Sequence, residues 1–190
     1  MNHSHGTSPT ESLKEDHRII ERMLNILNVA TERLKRGEEV SPEVFTKAVD
    51  FIRNFADRCH HGKEEDTLFP RIELRVPRQG GPTGVMRMEH DQGRAYVRGL
   101  ADAAERYAKG DNAVKQAIID NARGYVNLLS QHIPKEDDIL YPLADQMCGP
   151  DEQKELLEKF EEIEKERIGE GKHHEYIHLV HDLEKTLGIE

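Results

Sequence analysis

The sequence predicts an all-α protein: an up-down-up-down four-helix bundle with an additional C-terminal helical pair. Apolar residues recur at helical spacing along four long stretches, and Gly, Pro and Ser punctuate the joins. An eleven-residue phrase is used twice, His60-His61-Gly62-Lys63-Glu64-Glu65-Asp66-Thr67-Leu68-Phe69-Pro70 and His132-Ile133-Pro134-Lys135-Glu136-Asp137-Asp138-Ile139-Leu140-Tyr141-Pro142. Charged residues make up 34% and aromatics 5%, with no Trp, a balance that suits long helices better than sheets.

Residues 1–9 are polar and lack an apolar leader segment, so they read as a frayed tail in which His3 and His5 offer at most a weak metal site. A first helix is expected from Thr10 to Arg36, stopped by Gly37, with Leu13, His17, Ile20, Leu24 and Leu27 as its buried stripe. Ser41-Pro42 supplies an N-cap and a proline at the first helical position. The second helix then buries Phe45, Val49, Ile52, Ala56, His60 and Glu64, and Pro70 bends or ends it.

Residues 75–84 form a loop rich in Gly and Pro. The third helix runs to Lys109 with Met86, His90, Val97, Leu100 and Ala104 on one side. Asp111 caps the fourth, whose stripe is Val114, Ile118, Ala122, Tyr125, Leu129, His132, Glu136 and Ile139. Residues 10–148 make the bundle, closed by Gly149-Pro150. Residues 150–190 make the extension, with helices over 151–167 and 172–187 and a docking side of Leu156, Leu157, Phe160 and Ile163.

The duplicated phrase carries chemistry. His60 and Glu64 share a helical face, as do His132 and Glu136, so each pair can grip one metal ion from a single turn. His17 precedes His60 by 43 residues and His90 precedes His132 by 42. His17 and His90 lie near the starts of odd helices, about 10 Å along the axis, and His60 and His132 near the ends of even ones. An up-down-up-down bundle brings all four to one level, together with both carboxylates. The alternative is a buried His–Glu hydrogen-bonded network without metal. Two carboxylates facing each other in a core repel, and cations between them remove that penalty. Imidazole with carboxylate suits iron, manganese or zinc and is poor for calcium. Six protein ligands for two ions leave open positions for small-molecule chemistry.

These residues resemble the hemerythrin-like (HHE cation-binding) proteins over roughly residues 12–147. The likeness rests on Asp16-His17, on His60-His61 with Glu64-Glu65 and Leu68-Phe69-Pro70, on Glu89-His90, and on His132-Ile133 with Glu136 and Leu140-Tyr141-Pro142. The resemblance implies a non-haem di-iron centre bridged by the two Glu carboxylates and an oxo or hydroxo group. It also implies a protein that binds, senses or reacts with dioxygen, nitric oxide or peroxide, or that handles iron. Manganese or zinc are substitutes. Oxygen-carrying members place a second His four residues after the third-helix His, where this chain has Arg94. The carrier role is therefore in doubt.

His61 is an additional ligand or an outer support of one, and Tyr125 either lines a ligand pocket or fills the core. His173, His174, His178 and His181 either form a second metal site or pack the last helix onto the bundle. Cys59 points about 100° away from His60 and is not expected to ligate.

A net charge of −10 without basic stripes excludes nucleic acid and anionic membranes as partners. No stretch approaches the length of a membrane span. Two cysteines make no disulfide framework and fit a cytoplasmic protein. The remaining function classes are a metal-binding or iron-handling protein without catalysis, and an interaction module that self-associates through its C-terminal helices around a structural metal site.

Overall fold

The computed structural model describes residues 8–189; His3 and His5 lie outside them. Among the described residues every regular element is helical. Helix α1 spans Pro9–Lys35, and its Ser8 cap accepts a hydrogen bond from the Glu11 amide at 3.2 Å. The second rod begins as α2, Pro42–Phe51, continues through π-helical Ile52–His61 and Glu64–Leu68, and ends as α3, Phe69–Glu73. Ser41 sits at its cap position but makes no side-chain capping bond. Helix α4 spans Pro82–Ala108. A 3-10 turn, Asn112–Val114, capped by Asp111, leads into α5, Lys115–Lys135, then π-helical Glu136–Leu140 and α6, Tyr141–Met147. Helices α7, Pro150–Arg167, and α8, Lys172–Leu187, complete the chain.

One sequence expectation needs correction, and the backbone before the prolines explains it. Of the two outcomes expected at Pro70, a bend or an end, the rod does not end there. The amide of Phe69 reaches back to the carbonyl of Glu64, and in the second copy the amide of Tyr141 reaches that of Glu136. This wider turn accommodates the proline that follows, which has no N–H and whose ring would crowd the carbonyl four residues back. The extra residue per turn also shifts the register. Ile139, expected in the buried stripe, is 63% exposed, and Leu140 takes the core position.

The rods pack in a closed circuit: α1 against α5, α5 against α4, α4 against α2, and α1 against α2 and the Ile52–His61 stretch. Two apolar clusters result. The larger includes Ile20, Phe45, Phe51, Leu100, Ile118 and Leu129. The smaller includes Leu13, Leu68, Phe69, Met86, Leu140 and Tyr141. His17, His60, Glu64, His90 and Glu136, all buried, fall between them in sequence, and buried His132 sits just before Ile133, the last residue of the larger cluster on its rod.

The last two helices add to both clusters. Leu156 and Phe160 enter the smaller one, and Val180, Leu183 and Leu187 enter the larger. Ile163 is buried too, whereas Leu157 is only half-buried. A close approach locks α7 down: a Cβ on Gly62 would collide with the guanidinium of Arg167, which reaches the Arg58 carbonyl and Asp66. Among the described residues no helix is long and apolar enough to cross a membrane.

Candidate metal centre

The structure brings every inner residue expected from the sequence into one layer, in two groups. One is His17, His60, Glu64 and Glu136; the other is His61, His90 and His132. The ligating atoms within each group lie within 4.8 Å of one another. Glu136 stands between the groups. One carboxylate oxygen lies 3.2 Å from His17 Nε2, and the other lies 3.2 Å from His132 Nε2 and 3.7 Å from His90 Nε2. Glu64 spans the same gap, with Oε2 3.7 Å from His60 Nε2 and 3.5 Å from His90 Nε2. Its other oxygen accepts a 2.6 Å hydrogen bond from the Tyr141 hydroxyl.

The donor set fits metal ions. His60 Nε2, Glu64 Oε2 and both Glu136 oxygens are buried without a hydrogen-bond partner. Leaving such atoms unsatisfied in a core costs about 1–3 kcal/mol each, more for charged ones, so a network without metal is a poor account of them. A cation placed among them satisfies all four and separates the two carboxylates electrostatically.

Outside this layer four of the five imidazoles are each held by a carboxylate from a different rod. Nδ1–H of His17 donates to Asp137 at 2.7 Å, that of His132 to Glu89 at 2.7 Å, that of His90 to Glu65 at 2.6 Å and that of His60 to Asp16 at 3.4 Å. The supports run in one closed circuit: α1 is held from the fourth rod, the fourth from α4, α4 from the second, and the second from α1. Each supporting carboxylate also meets a cation: Arg18 on Asp137, Lys135 on Glu89, Arg94 on Glu65 at 3.1 Å and Lys63 on Asp16 at 3.1 Å. A carboxylate that accepts from Nδ1–H fixes the tautomer and turns the Nε2 lone pair inward, where a metal needs it.

Electrostatics reflect this crowding. Burial and the charge of Glu136 push the Glu64 carboxyl up. Burial also opposes ionisation of Glu136, but His132, His17 and His90 hold it well below the usual carboxylate range. Burial alone would lower His17, yet Asp137 and Glu136 raise it to about 10. Glu136 and Glu65 raise His90 to about 10 against the same burial. Burial, joined by the charge of His17, takes His60 down to about 4.

His61 is drawn inward. It stacks on His90 with ring centroids 3.8 Å apart and donates Nδ1–H to Asp57 at 3.2 Å. Arg94 is not: its guanidinium binds Asp57 at 2.8 Å, Asp91 at 2.9 Å and Glu65. It supports the supporting carboxylates and stays outside the inner layer. Tyr125 is buried with its hydroxyl unpartnered, and it lines a cavity of about 190 Å³ that reaches His61 and His90.

The histidines of α8 do not converge. His173 donates to Asp16 at 2.9 Å and packs on Phe55, while His178 and His181 are exposed. Among the described residues, no metal-holding group includes His174, His178, His181 or Cys59. Burial pushes the Cys59 thiol up to about 12.

Sequence reasoning missed the roles of Asp16, Glu65, Glu89 and Asp137. The signal was present, since each adjoins a site residue in sequence. Each, however, serves an imidazole on a neighbouring rod, which no linear pattern reveals. Tyr141 was quoted within the phrase without its contact to Glu64.

Uncharacterized proteins of Mycobacterium bovis and Mycobacterium tuberculosis are each 26% identical over 183 residues, covering 96% of this chain and 71% of theirs. The iron-sulfur cluster repair protein YtfE of Salmonella newport is 24% identical over 156 residues, covering 70% of this chain and 71% of its own. No solved structure matches. The model of the hemerythrin HHE cation-binding domain matches residues 8–144, and the chain belongs to that family.

Proposed function

We propose that this is a di-iron protein of the hemerythrin-like kind, an up-down-up-down four-helix bundle in the cytoplasm whose centre binds, senses or reacts with dioxygen, nitric oxide or peroxide. The observation that carries the reading is the set of orphaned atoms on His60, Glu64 and Glu136 between two groups of imidazoles. His17, His60, Glu64 and Glu136 would hold one ion, and His90 and His132 with His61 the other, the Glu64 and Glu136 carboxylates lying within reach of both groups.

Iron here supplies redox capacity and open coordination positions. The chain supplies the rest. Asp137, Glu89, Glu65 and Asp16 orient the imidazoles, and Tyr141 fixes one Glu64 oxygen. The two apolar clusters keep bulk water from the layer. The cavity at Tyr125 gives a small ligand a path to the His61–His90 end.

The likeness to an iron-sulfur cluster repair protein favours a second reading, in which the centre handles iron rather than reacting with a ligand. Metal analysis of anaerobically purified protein, with optical spectra before and after air, separates the two. The first reading expects two iron ions per chain and a spectral response to air. Two ions that a chelator strips readily, with no response, support iron handling. One ion in fully loaded protein removes the dinuclear assignment.

A further inference from the structure

The cavity beside the centre carries a charge pattern that neutral diatomic ligands do not need. It opens between the Ile52–His61 stretch and α4; its charged lining is Arg53, Arg94 and Arg98 with the single carboxylate Asp57, and Tyr125, His61 and His90 lie further in. Arg94 is compensated by Asp57, Glu65 and Asp91. Arg53 and Arg98 are exposed, and among the described residues neither makes an ion pair. Both guanidiniums therefore stand without a carboxylate partner at one small cavity, in a chain whose net charge is −10.

The second observation lies inside. Tyr125 is 2% exposed, and its hydroxyl has no partner although it lines the cavity. A buried phenol normally finds an acceptor. Opposite it Gly93 presents no side chain; a Cβ there would already touch Tyr125 at 3.5 Å, so anything larger would narrow the space. A donor without an acceptor, in a cavity with a positive mouth, asks for a small anion bearing oxygen acceptors.

We propose that this cavity is an anion-selective port, which admits a small monovalent oxyanion of about three or four heavy atoms to the His61–His90 end of the centre. This names the ligand class of the site proposed above and rests on that reading for what happens beyond the port. The roles divide by position. Arg53 and Arg98 offset the repulsion that a strongly negative protein exerts on an approaching anion, a long-range effect that salt screens. Tyr125 donates a hydrogen bond to the anion once it is inside, a short-range effect that salt leaves in place. A neutral ligand of the same shape gains only the second.

Formate and its neutral isostere formamide test this on metal-free protein, so failure of the port and failure of the metal assignment remain distinct. Binding is read from the backbone amide signals of Gly93 and Val97. Formate should shift both signals, and formamide should bind at least about tenfold more weakly. Exchanging both mouth residues (Arg53→Gln with Arg98→Gln) should weaken formate about tenfold at low ionic strength, leave formamide unchanged, and lose most of its effect near 1 M salt, where the screening length is about 3 Å. Tyr125→Phe should weaken formate by roughly tenfold at any salt concentration. Iron-loaded protein should show the same ranking in its optical spectrum. Equal binding of formate and formamide, or formate binding indifferent to the double exchange at low salt, would overturn the proposal. Absence of any shift with formate up to molar concentration would overturn it too.

Discussion

Asp16, on the first helix, accepts hydrogen bonds from two histidines at once: His60 of the second rod at 3.4 Å and His173 of the last helix at 2.9 Å. The C-terminal extension therefore reaches the metal layer through one carboxylate. Lys63, 2% exposed, makes a second link, bonding Asp16 at 3.1 Å and Glu164 of α7 at 3.3 Å. These contacts hold Asp16 well below the usual carboxylate range although burial opposes it, with Lys63 the largest favourable influence.

Removing His173 should thus be felt at the centre. His173→Ala is expected to weaken metal binding, by less than the roughly 10–100-fold of losing a direct partner of a ligand imidazole, because it acts through Asp16. It should also raise hydrogen exchange along α8. An unchanged metal affinity would mean that α8 covers the bundle without supporting it.

Lys63→Ala leaves the buried Asp16 charge facing only imidazoles. The metal-free fold should lose about 3–5 kcal/mol, measured by urea unfolding, since one partner of a buried pair is gone. Lys63→Arg should recover part of that loss. A loss below about 1 kcal/mol would show that water reaches Asp16 freely.

Register and support can be separated by three carboxylate variants. Glu64→Ala and Glu136→Ala remove groups that face both imidazole sets, and each should abolish tight binding of both ions. Glu65→Ala removes the hydrogen bond to His90 Nδ1 and the ion pair with Arg94 but no inner donor, so affinity should fall by about 10–100-fold with both ions still bound at saturation. Complete metal loss in Glu65→Ala alone would reverse the assignment of inner and outer residues. His61→Leu, which copies the apolar Ile133 of the second phrase, should weaken one ion and spare the other.

Loading should release protons. In the metal-free protein His17 and His90 sit at about 10, so near neutral pH each carries a proton that an incoming cation must displace. Affinity should accordingly rise with pH across the neutral range, and an unbuffered solution should acidify on adding ferrous iron. The same shifts stabilise the metal-free fold. That contribution is complete below the unfolded imidazole value of about 6.5 and is lost as pH rises through about 10. A pH-stat titration that finds no proton release would contradict the geometry around Glu136.

The sequence by itself determined the all-helical class, which histidines and carboxylates gather in one buried layer, and the ends of nearly every helix. Period and punctuation are local properties, and a ligand four residues from its partner on one helix is a local arrangement. The duplicated phrase also set the common level of the site, because helix rise converts sequence position into depth. Tertiary structure alone decided the rest. The π-helical turns Glu64–Leu68 and Glu136–Leu140 fit Pro70 and Pro142 into packed rods, and the second moved Ile139 out and Leu140 in. The pairing of Asp16 with His60, and of Glu89 with His132, depends on which rods are neighbours. The fate of Arg94 depended on Asp57 and Glu65 lying within reach, on a rod distant in sequence. His173 reached the centre because burial of Val180, Leu183 and Leu187 laid α8 along α1. Contacts between rods follow from packing many side chains at once, and no single window of sequence contains them.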